Sequence, residues 1–264
     1  MPNILIVNDD GIFSPGLRAL LPKLCPRYTC TIAAPSTQQS WIGKASSYHK
    51  SIPYKEVLVE GHPGFSITGS PADCASAGIH HLCSSPPDLV VSGINAGANV
   101  GDAYILSSGT IGGAIEGAIA GIPALAVGVE FSADITKKIE FNPDGEDTCF
   151  FHFAADLTAK VCRALFALPD FPPGYILNMN MDNSCTEKSE LIFSRPARYD
   201  YKGFLRKNGN AFYHQGAPKD LFRAFKGTDM AVLKQGNIPL SLIPLPGAEA
   251  LSGDWTERFM RLLS

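Results

Sequence analysis

Two adjacent aspartates, Asp9 and Asp10, follow the first apolar run of the chain, Asn3–Val7, and precede Gly11. Neighbouring carboxylates repel each other unless a cation or a proton lies between them. In a regular strand the two side chains would point to opposite faces, but a turn at Asp10-Gly11 can bring both to one oxygen-rich site. A hard divalent ion such as Mg²⁺ or Mn²⁺ suits such a site, because it prefers carboxylate, hydroxyl and amide oxygens.

Further polar residues occur where later strands are predicted to end. Ser40 closes the loop after the strand predicted over 28–34, and Asn95 follows the strand predicted over 88–92. Ligands of open parallel sheets lie beyond the carboxyl ends of the strands, so these residues are expected near the aspartates. The same residues also have ordinary interpretations, as a solvated turn, a loop hydroxyl and a loop residue in αL geometry. Their joint position at strand ends favours a metal site.

The segment between Asn95 and Thr110 is rich in glycine, small residues and hydroxyls, and it leads into a helix predicted over 110–120. A helix start of this kind can bind phosphate through its free N–H groups and its positive dipole end. The glycines could equally serve close packing of the helix on the sheet. No GxxxxGK[ST], GxGxxG or GxSxG sequence is present, which excludes P-loop, dinucleotide-binding and nucleophile-elbow sites.

The charge distribution is uneven. The formal net charge of the 264 residues is −3, but residues 56–136 contain eight carboxylates and no Lys or Arg. An anion bound by this segment must be held by a metal ion, backbone N–H groups or hydroxyls, unless Lys44, a residue of the C-terminal half or a partner chain reaches in. The overall balance does not indicate nucleic-acid binding.

The remaining composition favours a reduced, cytoplasmic protein. Seven cysteines show no CxxC or other paired spacing, so neither a zinc site nor a disulfide framework is indicated. The first apolar run is too short for a signal sequence, and the longest uncharged apolar segment, 117–129, is too short to span a bilayer. We therefore expect no membrane association.

Short apolar runs alternate with helical patterns along the chain, which is typical of a doubly wound α/β sheet. Strands are predicted over 3–7, 28–34, 46–52, 56–60, 65–68, 88–92, 123–129, 174–179, 190–194 and 239–243. Helices are predicted over 16–24, 71–82, 110–120, 149–168 and 255–263.

Residues 195–226 are aromatic, charge-rich and irregular, which predicts hairpins or an extended arm. The predicted fold is α/β, with a Rossmann-like, doubly wound and mostly parallel sheet and a C-terminal extension of strands, hairpin arm and terminal helix. Residues 1–130 would form the metal- and phosphate-binding core. Residues 131–264 would complete the sheet and supply an oligomerisation arm.

Several motifs, in order along the chain, resemble those of the SurE family, the survival-protein 5'-nucleotidases. The resemblance is strongest over about residues 3–129. It is carried by Asn8-Asp9-Asp10-Gly11 with Ser14-Pro15-Gly16, Ala34-Pro35 before Ser40, Gly69-Ser70-Pro71-Ala72-Asp73-Cys74, Ser92-Gly93-Ile94-Asn95 with Gly97 and Asn99, and Ser108-Gly109-Thr110 with Glu116-Gly117. Farther along, Asn178-Met179-Asn180 and Thr228-Asp229 also match family patterns.

The resemblance implies one divalent metal ion per subunit, Mg²⁺ or Mn²⁺, bound by Asp9, Asp10, Ser40 and Asn95. It implies a phosphate site formed by Asn99, Ser108, Gly109 and Thr110. The implied activity is hydrolysis of nucleoside 5'-monophosphates, and some members also cleave other phosphate esters or short polyphosphate. The implied assembly is a homodimer or homotetramer with an exchanged C-terminal arm.

Departures from the family pattern lie at the mouth of the predicted site. Trp41 stands where a small residue is usual, and the connection from Asp102 to Ser108 is one residue longer. Trp41 could stack on a nucleobase, or it could be an ordinary half-buried packing residue. These changes bear on substrate preference more than on the chemistry.

The sequence favours metal-assisted hydrolysis of a phosphomonoester, with Asp9 or Asp10 orienting or deprotonating the attacking water. One alternative is a phosphatase of the haloacid-dehalogenase type, which forms a phospho-aspartate but requires Asp-x-Asp, whereas the carboxylates here are adjacent. The other alternative is a nucleotide-binding module without catalysis.

Overall fold

The central element of the protein is a single mostly parallel sheet. The computed structural model describes residues 1–141, 148–198, 205–214, 226–250 and 254–264. The strands within these ranges are β1 (Asn3–Val7), β2 (Thr29–Pro35), β3 (Tyr54–Val59), β4 (His62–Ile67), β5 (Leu89–Asn95), β6 (Ala124–Glu130), β7 (Tyr175–Asp182), β8 (Leu191–Phe193), β9 (Leu205–Asn208), β10 (Ala211–His214) and β11 (Ile238–Pro244).

Nine of these strands share one sheet in the order β3-β4-β2-β1-β5-β6-β7-β11-β8. The pairs from β4 to β7 are parallel, whereas β3 pairs with β4 and β11 pairs with β7 in antiparallel fashion. β9 and β10 form a separate antiparallel hairpin. This topology confirms the predicted α/β fold, and β7, β8 and β11, which follow residue 130, continue the same sheet.

Helices cover both faces of the sheet, as in a doubly wound fold. They are α1 (Pro15–Leu24), α2 (Pro71–Ala77), α3 (Gly101–Ser107), α4 (Gly109–Ile119), α5 (Ala133–Phe141), α6 (His152–Ala167), α7 (Asp229–Lys234) and α8 (Trp255–Leu263). A π-helical turn follows α2, and a 3₁₀ turn precedes α6. One apolar core contains buried residues of α1, α6 and α8, and the other contains buried residues of α2 and α4. Among the described residues, no helix combines the length and apolarity that crossing a bilayer requires.

Local sequence signals explain where the first helices begin. Ser14 caps α1, and Ser70 forms a capping box with Asp73 at the start of α2. A Cβ atom on Gly16 would lie 2.0 Å from the carbonyl oxygen of Ile94, so the start of α1 packs directly on the end of β5. This contact brings the ends of β1 and β5 together.

Three predictions about these elements were wrong or incomplete. Residues 46–52 form no strand, because His49 adopts a positive φ of 59° and the backbone N–H of Ser47 bonds the Asp73 carboxylate. The short helices α5 and α7 were not predicted. Within the glycine-rich segment between Asn95 and Thr110, the helix α3 was not predicted either, and β5 extends to Asn95, beyond its predicted end at residue 92.

The start of α3 has a tertiary cause. No side chain next to α3 in sequence caps it, but Asp229 accepts a hydrogen bond of 2.8 Å from the Gly101 N–H. The predicted hairpin in the irregular region is present as β9–β10. Residues 199–204 and 215–225 of the predicted arm lie outside the described residues.

Candidate active site

The turn after β1 is shaped by Asn8. Its side-chain amide donates to the Gly11 carbonyl at 2.8 Å and to the Ser14 hydroxyl at 2.7 Å, and its Oδ1 accepts from the Gly11 N–H at 3.2 Å. Gly11 has a φ of 106°, which only glycine adopts readily. This buried network carries the chain from β1 into α1 and places the two aspartates at the carboxyl edge of the sheet.

Asp9 lies against the N-terminus of α4. The hydroxyl of Thr110 donates to Asp9 Oδ1 at 2.7 Å, and Asp9 is 3% exposed. A Cβ atom on Gly109 would come within 2.8 Å of Asp9 Cβ and 2.9 Å of Asp9 Oδ2. A glycine at position 109 is therefore what allows the carboxylate to approach the helix this closely.

Asp10 is connected to two other strand ends. Its Oδ2 accepts a hydrogen bond of 2.9 Å from the Ala96 N–H, and its Oδ1 accepts one of 3.4 Å from Gln38 Nε2. Asp10 is 8% exposed. The loops after β2 and β5 therefore meet at this carboxylate.

Burial strongly favours the neutral form of both carboxyl groups. Burial and the charge of Asp10 raise the pKa of Asp9 from 3.8 to about 7, against the lowering effect of its hydrogen bond with Thr110. Burial also raises the pKa of Asp10, against the hydrogen bonds from Ala96 and Gln38. Two buried carboxylates of this kind require a proton or a cation to compensate them.

A pocket of about 200 Å³ opens at Asp9. The residues lining it are Asp9, Ser40, Trp41, Asn95, Ala96, Gly97, Ala98, Asn99, Tyr104, Ser107, Ser108 and Glu130. Six of the nine predicted site residues are among them. The other three, Asp10, Gly109 and Thr110, do not line it, and Asp10 borders a separate small cavity.

Asn99 is fixed in this pocket by two asparagines of β7. Its N–H donates to Asn180 Oδ1 at 2.7 Å, and its carbonyl accepts from Asn178 Nδ2 at 2.8 Å and from Asn180 Nδ2 at 3.3 Å. Asn99 itself is 4% exposed, and its own Nδ2 has no hydrogen-bond partner in the part of the chain that the structure describes. A buried donor without a partner is costly in a protein, so a bound acceptor that reached Asn99 Nδ2 would relieve that cost.

Ser108 begins α4. Its hydroxyl caps the helix by accepting from the Ile111 N–H at 3.1 Å, and the Ser92 hydroxyl donates to the Thr110 carbonyl at 2.7 Å. These bonds anchor the first turn of α4 to β5. The positive end of an eleven-residue helix therefore faces the pocket.

The pocket lining in the described part of the chain includes no Lys or Arg. Lys44, the cation expected to be able to reach in, pairs instead with Glu116 at 2.5 Å. The charged side chains that line the pocket are those of Asp9 and Glu130. The electrostatics of the site are therefore acidic, as the sequence predicted for the segment as a whole.

Sequence reasoning missed Gln38, Tyr104, Glu130, Asn178 and Asn180 as parts of the site. Glu130 ends β6, so the strand-end rule that found Asn95 also applies to it. Tyr104 lies in α3, a helix that the sequence did not predict. The two asparagines of β7 matched a family motif, but nothing local indicated their contact with Asn99.

The donor set of the site fits a hard divalent ion. Asp9 and Asp10 supply carboxylate oxygens, while Ser40 and Asn95, which line the same pocket as Asp9, offer neutral oxygens. No group of three or more His, Cys, Asp or Glu side chains suited to a metal ion occurs in the described ranges. An ion here would therefore rely on two carboxylates and on neutral oxygens. The unfavourable burial of the two carboxylates is the observation that favours such an ion.

A larger cavity, of about 1,020 Å³, lies between α1, α6 and α8. None of the predicted site residues lines it. Its Lys23 is paired with Asp156 at 2.6 Å. Its size does not make it the functional site, because the strand ends and the buried carboxylates are elsewhere.

Fold and site together define a doubly wound α/β protein with an acidic site between strand ends and a helix N-terminus. The family model described as "Survival protein SurE" matches residues 4–203, and the chain belongs to the SurE family. It is 33% identical over 248 residues to the 5'-nucleotidase SurE of Geobacter sulfurreducens, covering 92% of this chain and 87% of the relative. It is 35% identical over 253 residues to the 5'-nucleotidase SurE of Methanothrix thermoacetophila, covering 93% and 92%.

A solved structure supports the same assignment. The crystal structure of the SurE protein from Aquifex aeolicus is similar to this chain with a TM-score of 0.74 and 27% sequence identity. The similarity covers 99% of each chain. The fold described above is therefore shared over the whole length of both proteins.

Proposed function

We propose that the protein is a divalent-metal-dependent phosphomonoesterase that hydrolyses nucleoside 5'-monophosphates to nucleoside and phosphate. The observation that carries the proposal is the buried Asp9 carboxylate, which lies against the first turn of α4 beside a pocket lined by Ser108 and Asn99. The relatives named 5'-nucleotidase support the reaction class. Other phosphate esters and short polyphosphate are further candidate substrates.

Asp9, Asp10, Ser40 and Asn95 would hold one Mg²⁺ or Mn²⁺ ion. Such an ion, when bound, neutralises charge on phosphoryl oxygens. The hydrogen bonds from Ala96 and Gln38 orient the Asp10 carboxylate for this role.

The remaining residues of the site would bind the phosphoryl group. Asn99 Nδ2 has no partner among the described residues and would donate to a phosphoryl oxygen. The N-terminus of α4 adds a favourable dipole, while its Thr110 and Ile111 N–H groups are bonded to Asp9 and to the Ser108 hydroxyl. The substrate anion would thus be bound without a Lys or Arg side chain from the described pocket lining.

Asp9 is the carboxylate in position to act on water. It lines the pocket together with Ser108 and Asn99, whereas Asp10 does not line that pocket and borders a separate small cavity. The Thr110 hydroxyl occupies Asp9 Oδ1 and leaves Oδ2 to orient the attacking water or accept its proton. We therefore assign proton transfer to Asp9 and place Asp10 among the ion-binding groups.

The proposal is tested by phosphate release from a panel of nucleotides, simple phosphate esters and short polyphosphate, with Mg²⁺, Mn²⁺ or EDTA. We expect release from nucleoside monophosphates only with a divalent ion, and loss of that activity in Asp10→Asn. The exposed Asp134→Asn serves as the matched control and should retain activity. Near-normal activity of Asp10→Asn would rule out the proposed site.

Two further outcomes separate the alternatives. A covalent phosphoryl adduct trapped on Asp9 or Asp10 would favour the phospho-aspartate mechanism of haloacid-dehalogenase-type enzymes. Nucleotide binding without steady phosphate release in any metal would favour a non-catalytic module.

We also propose that the protein is a homodimer or homotetramer assembled through the C-terminal arm. The β9–β10 hairpin supports this, because its Leu205, Phe212 and Tyr213 are 61%, 66% and 57% exposed. Light scattering should give a dimeric or tetrameric mass for the wild type. Phe212→Glu should shift it towards the monomer, and an unchanged mass would exclude the hairpin from the interface.

A further inference from the structure

Three aromatic side chains from distant parts of the chain meet at the rim of the pocket. The ring centroids of Trp41 and Tyr104 are 5.5 Å apart, and those of Trp41 and His214 are 4.9 Å apart. Trp41 and Tyr104 both line the pocket, and His214 is the last residue of β10. We call Trp41, Tyr104 and His214 the aromatic rim.

The stability of the fold does not explain a tryptophan at position 41. Its side chain is 51% exposed, so about half of its surface remains open to solvent or to a ligand. Its backbone has a φ of 62°, a conformation that favours Gly or Asn and is rare for a bulky residue. Contact with a ligand at the pocket mouth accounts for a tryptophan here better than folding does.

The pocket is too small to enclose a whole nucleotide, so part of a bound nucleotide would lie at the rim. Its volume of about 200 Å³ is below the roughly 300–1,000 Å³ of sites that enclose a drug-sized ligand. A nucleotide whose phosphoryl group lies between Ser108 and Asn99 would fill this space with phosphate and sugar. Its base would then lie at the mouth, where Trp41 and Tyr104 are located.

The chemistry of the rim suits a neutral planar group. Aromatic faces stack on any nucleobase, whereas the described lining offers no cation for additional phosphates. Building on the proposed function, we propose that the aromatic rim is the nucleobase subsite and makes the enzyme prefer nucleoside monophosphates to phosphate esters without a base. Tyr104 and His214 thereby join Trp41 as specificity-determining residues.

The kinetic test compares adenosine 5'-monophosphate with ribose 5-phosphate. The ratio of their kcat/KM values should favour the nucleotide in the wild type. In Trp41→Leu and Tyr104→Leu the ratio should fall about 5- to 150-fold, the range produced by loss of one base–aromatic stack. In Trp41→Phe the ratio should fall less, because phenylalanine keeps an aromatic face. In His214→Ala the ratio should also fall less, because the His214 ring contacts Trp41 edge-on.

Tyr48→Leu is the matched control for these variants. Tyr48 is an aromatic residue in the same connection between β2 and β3, is 80% exposed and does not line the pocket. It should keep the wild-type ratio. The inference is overturned if the wild type shows no preference for the nucleotide, or if Trp41→Leu and Tyr104→Leu keep the wild-type ratio.

A binding test that needs no turnover uses fluorescence. The chain has two tryptophans, and the second, Trp255, is 3% exposed and stacks on Phe259 at 4.9 Å. Trp255→Phe therefore leaves Trp41 as the sole tryptophan reporter. Adenosine 5'-monophosphate should quench its emission and ribose 5-phosphate should not, whereas an equal response to both would overturn the inference.

The two tests distinguish failure of this inference from failure of the proposed function. If neither compound is hydrolysed, the proposed function is wrong. The fluorescence titration would still report on the base subsite. Equal hydrolysis of both compounds would leave the phosphomonoesterase intact and overturn the nucleobase subsite alone.

Discussion

The Lys44 ammonium lies 2.5 Å from the Glu116 carboxylate and ties the loop after β2 to α4. Lys44 does not line the pocket, although it follows Ser40 closely in the sequence. The lysine with the best prospect of neutralising a bound phosphate is thus committed to a carboxylate. Within the described residues, phosphate binding would then depend on the proposed metal ion and on neutral donors.

Removal of the divalent ion is therefore expected to abolish nearly all binding of inorganic phosphate. Lys44→Met should change phosphate affinity by no more than about twofold, while loss of its partly exposed ion pair lowers stability by up to about 1 kcal/mol. Titration calorimetry with Mn²⁺ and with EDTA measures the phosphate affinity of the wild type and of Lys44→Met. Strong phosphate binding in EDTA would show that a Lys or Arg from another part of the chain reaches the site.

Asp9 should make the metal-free protein less stable as the pH rises. Its pKa is raised from 3.8 to about 7, so between these values the native state binds a proton that the unfolded state has lost. The free energy of unfolding consequently decreases from about pH 4 to pH 7, by at most about 4 kcal/mol from this group.

Asp9→Asn tests this pH dependence. The variant keeps an acceptor for Thr110 and has no charge to bury, so in EDTA at pH 7 it should be more stable than the wild type and lack catalytic activity. Urea unfolding at pH 5 and pH 7 measures the difference. A wild type whose stability does not decline relative to Asp9→Asn across this range would contradict the assigned burial effect.

Gly109→Ala should damage the site more than the fold. The added Cβ would lie 2.8 Å from Asp9 Cβ and 3.1 Å from the Gln39 carbonyl oxygen, so the carboxylate must move. We expect kcat/KM to fall about a hundredfold, as for a misplacement of about 1 Å, and stability to fall by about 1–3 kcal/mol.

Gly61→Asn is the control for that substitution. Gly61 has a φ of 78°, which Asn tolerates, and nothing lies within 4 Å of an added Cβ. In steady-state kinetics, Gly61→Asn should keep the kcat/KM of the wild type, whereas Gly109→Ala should not. Similar activity of Gly109→Ala and the wild type would show that Asp9 does not need its present position.

Asn180 is expected to position Asn99 for phosphate binding. Asn180→Ala would leave the buried N–H of Asn99 without its acceptor, at a cost in stability of about 1–3 kcal/mol. KM should rise more than kcat falls, because the substrate-binding donor is displaced. Asn180→Asp keeps the acceptor, so its KM should be close to that of the wild type. Equal KM values for the wild type, Asn180→Ala and Asn180→Asp would exclude this positioning role.

The sequence predicted the elements of the first half well because their signals are local. The continuous apolar run of β5 is buried as expected for a strand covered on both faces. α8 has the predicted bounds, Trp255–Leu263. The strand predicted over 46–52 failed because hydrogen bonds to α2 outweigh its strand propensity.

The sequence by itself determined the α/β class, the acidic strand ends and the glycine-rich start of α4, since apolar periodicity and turn residues act over a few positions. Tertiary structure alone decided that Asp9 lines the pocket while Asp10 borders a separate small cavity. It also decided that Asn99 is held by β7, about eighty residues away, and that Trp41 meets Tyr104 and His214. These relationships depend on which loops pack together at the edge of the sheet, and packing between distant segments leaves no local pattern in the sequence.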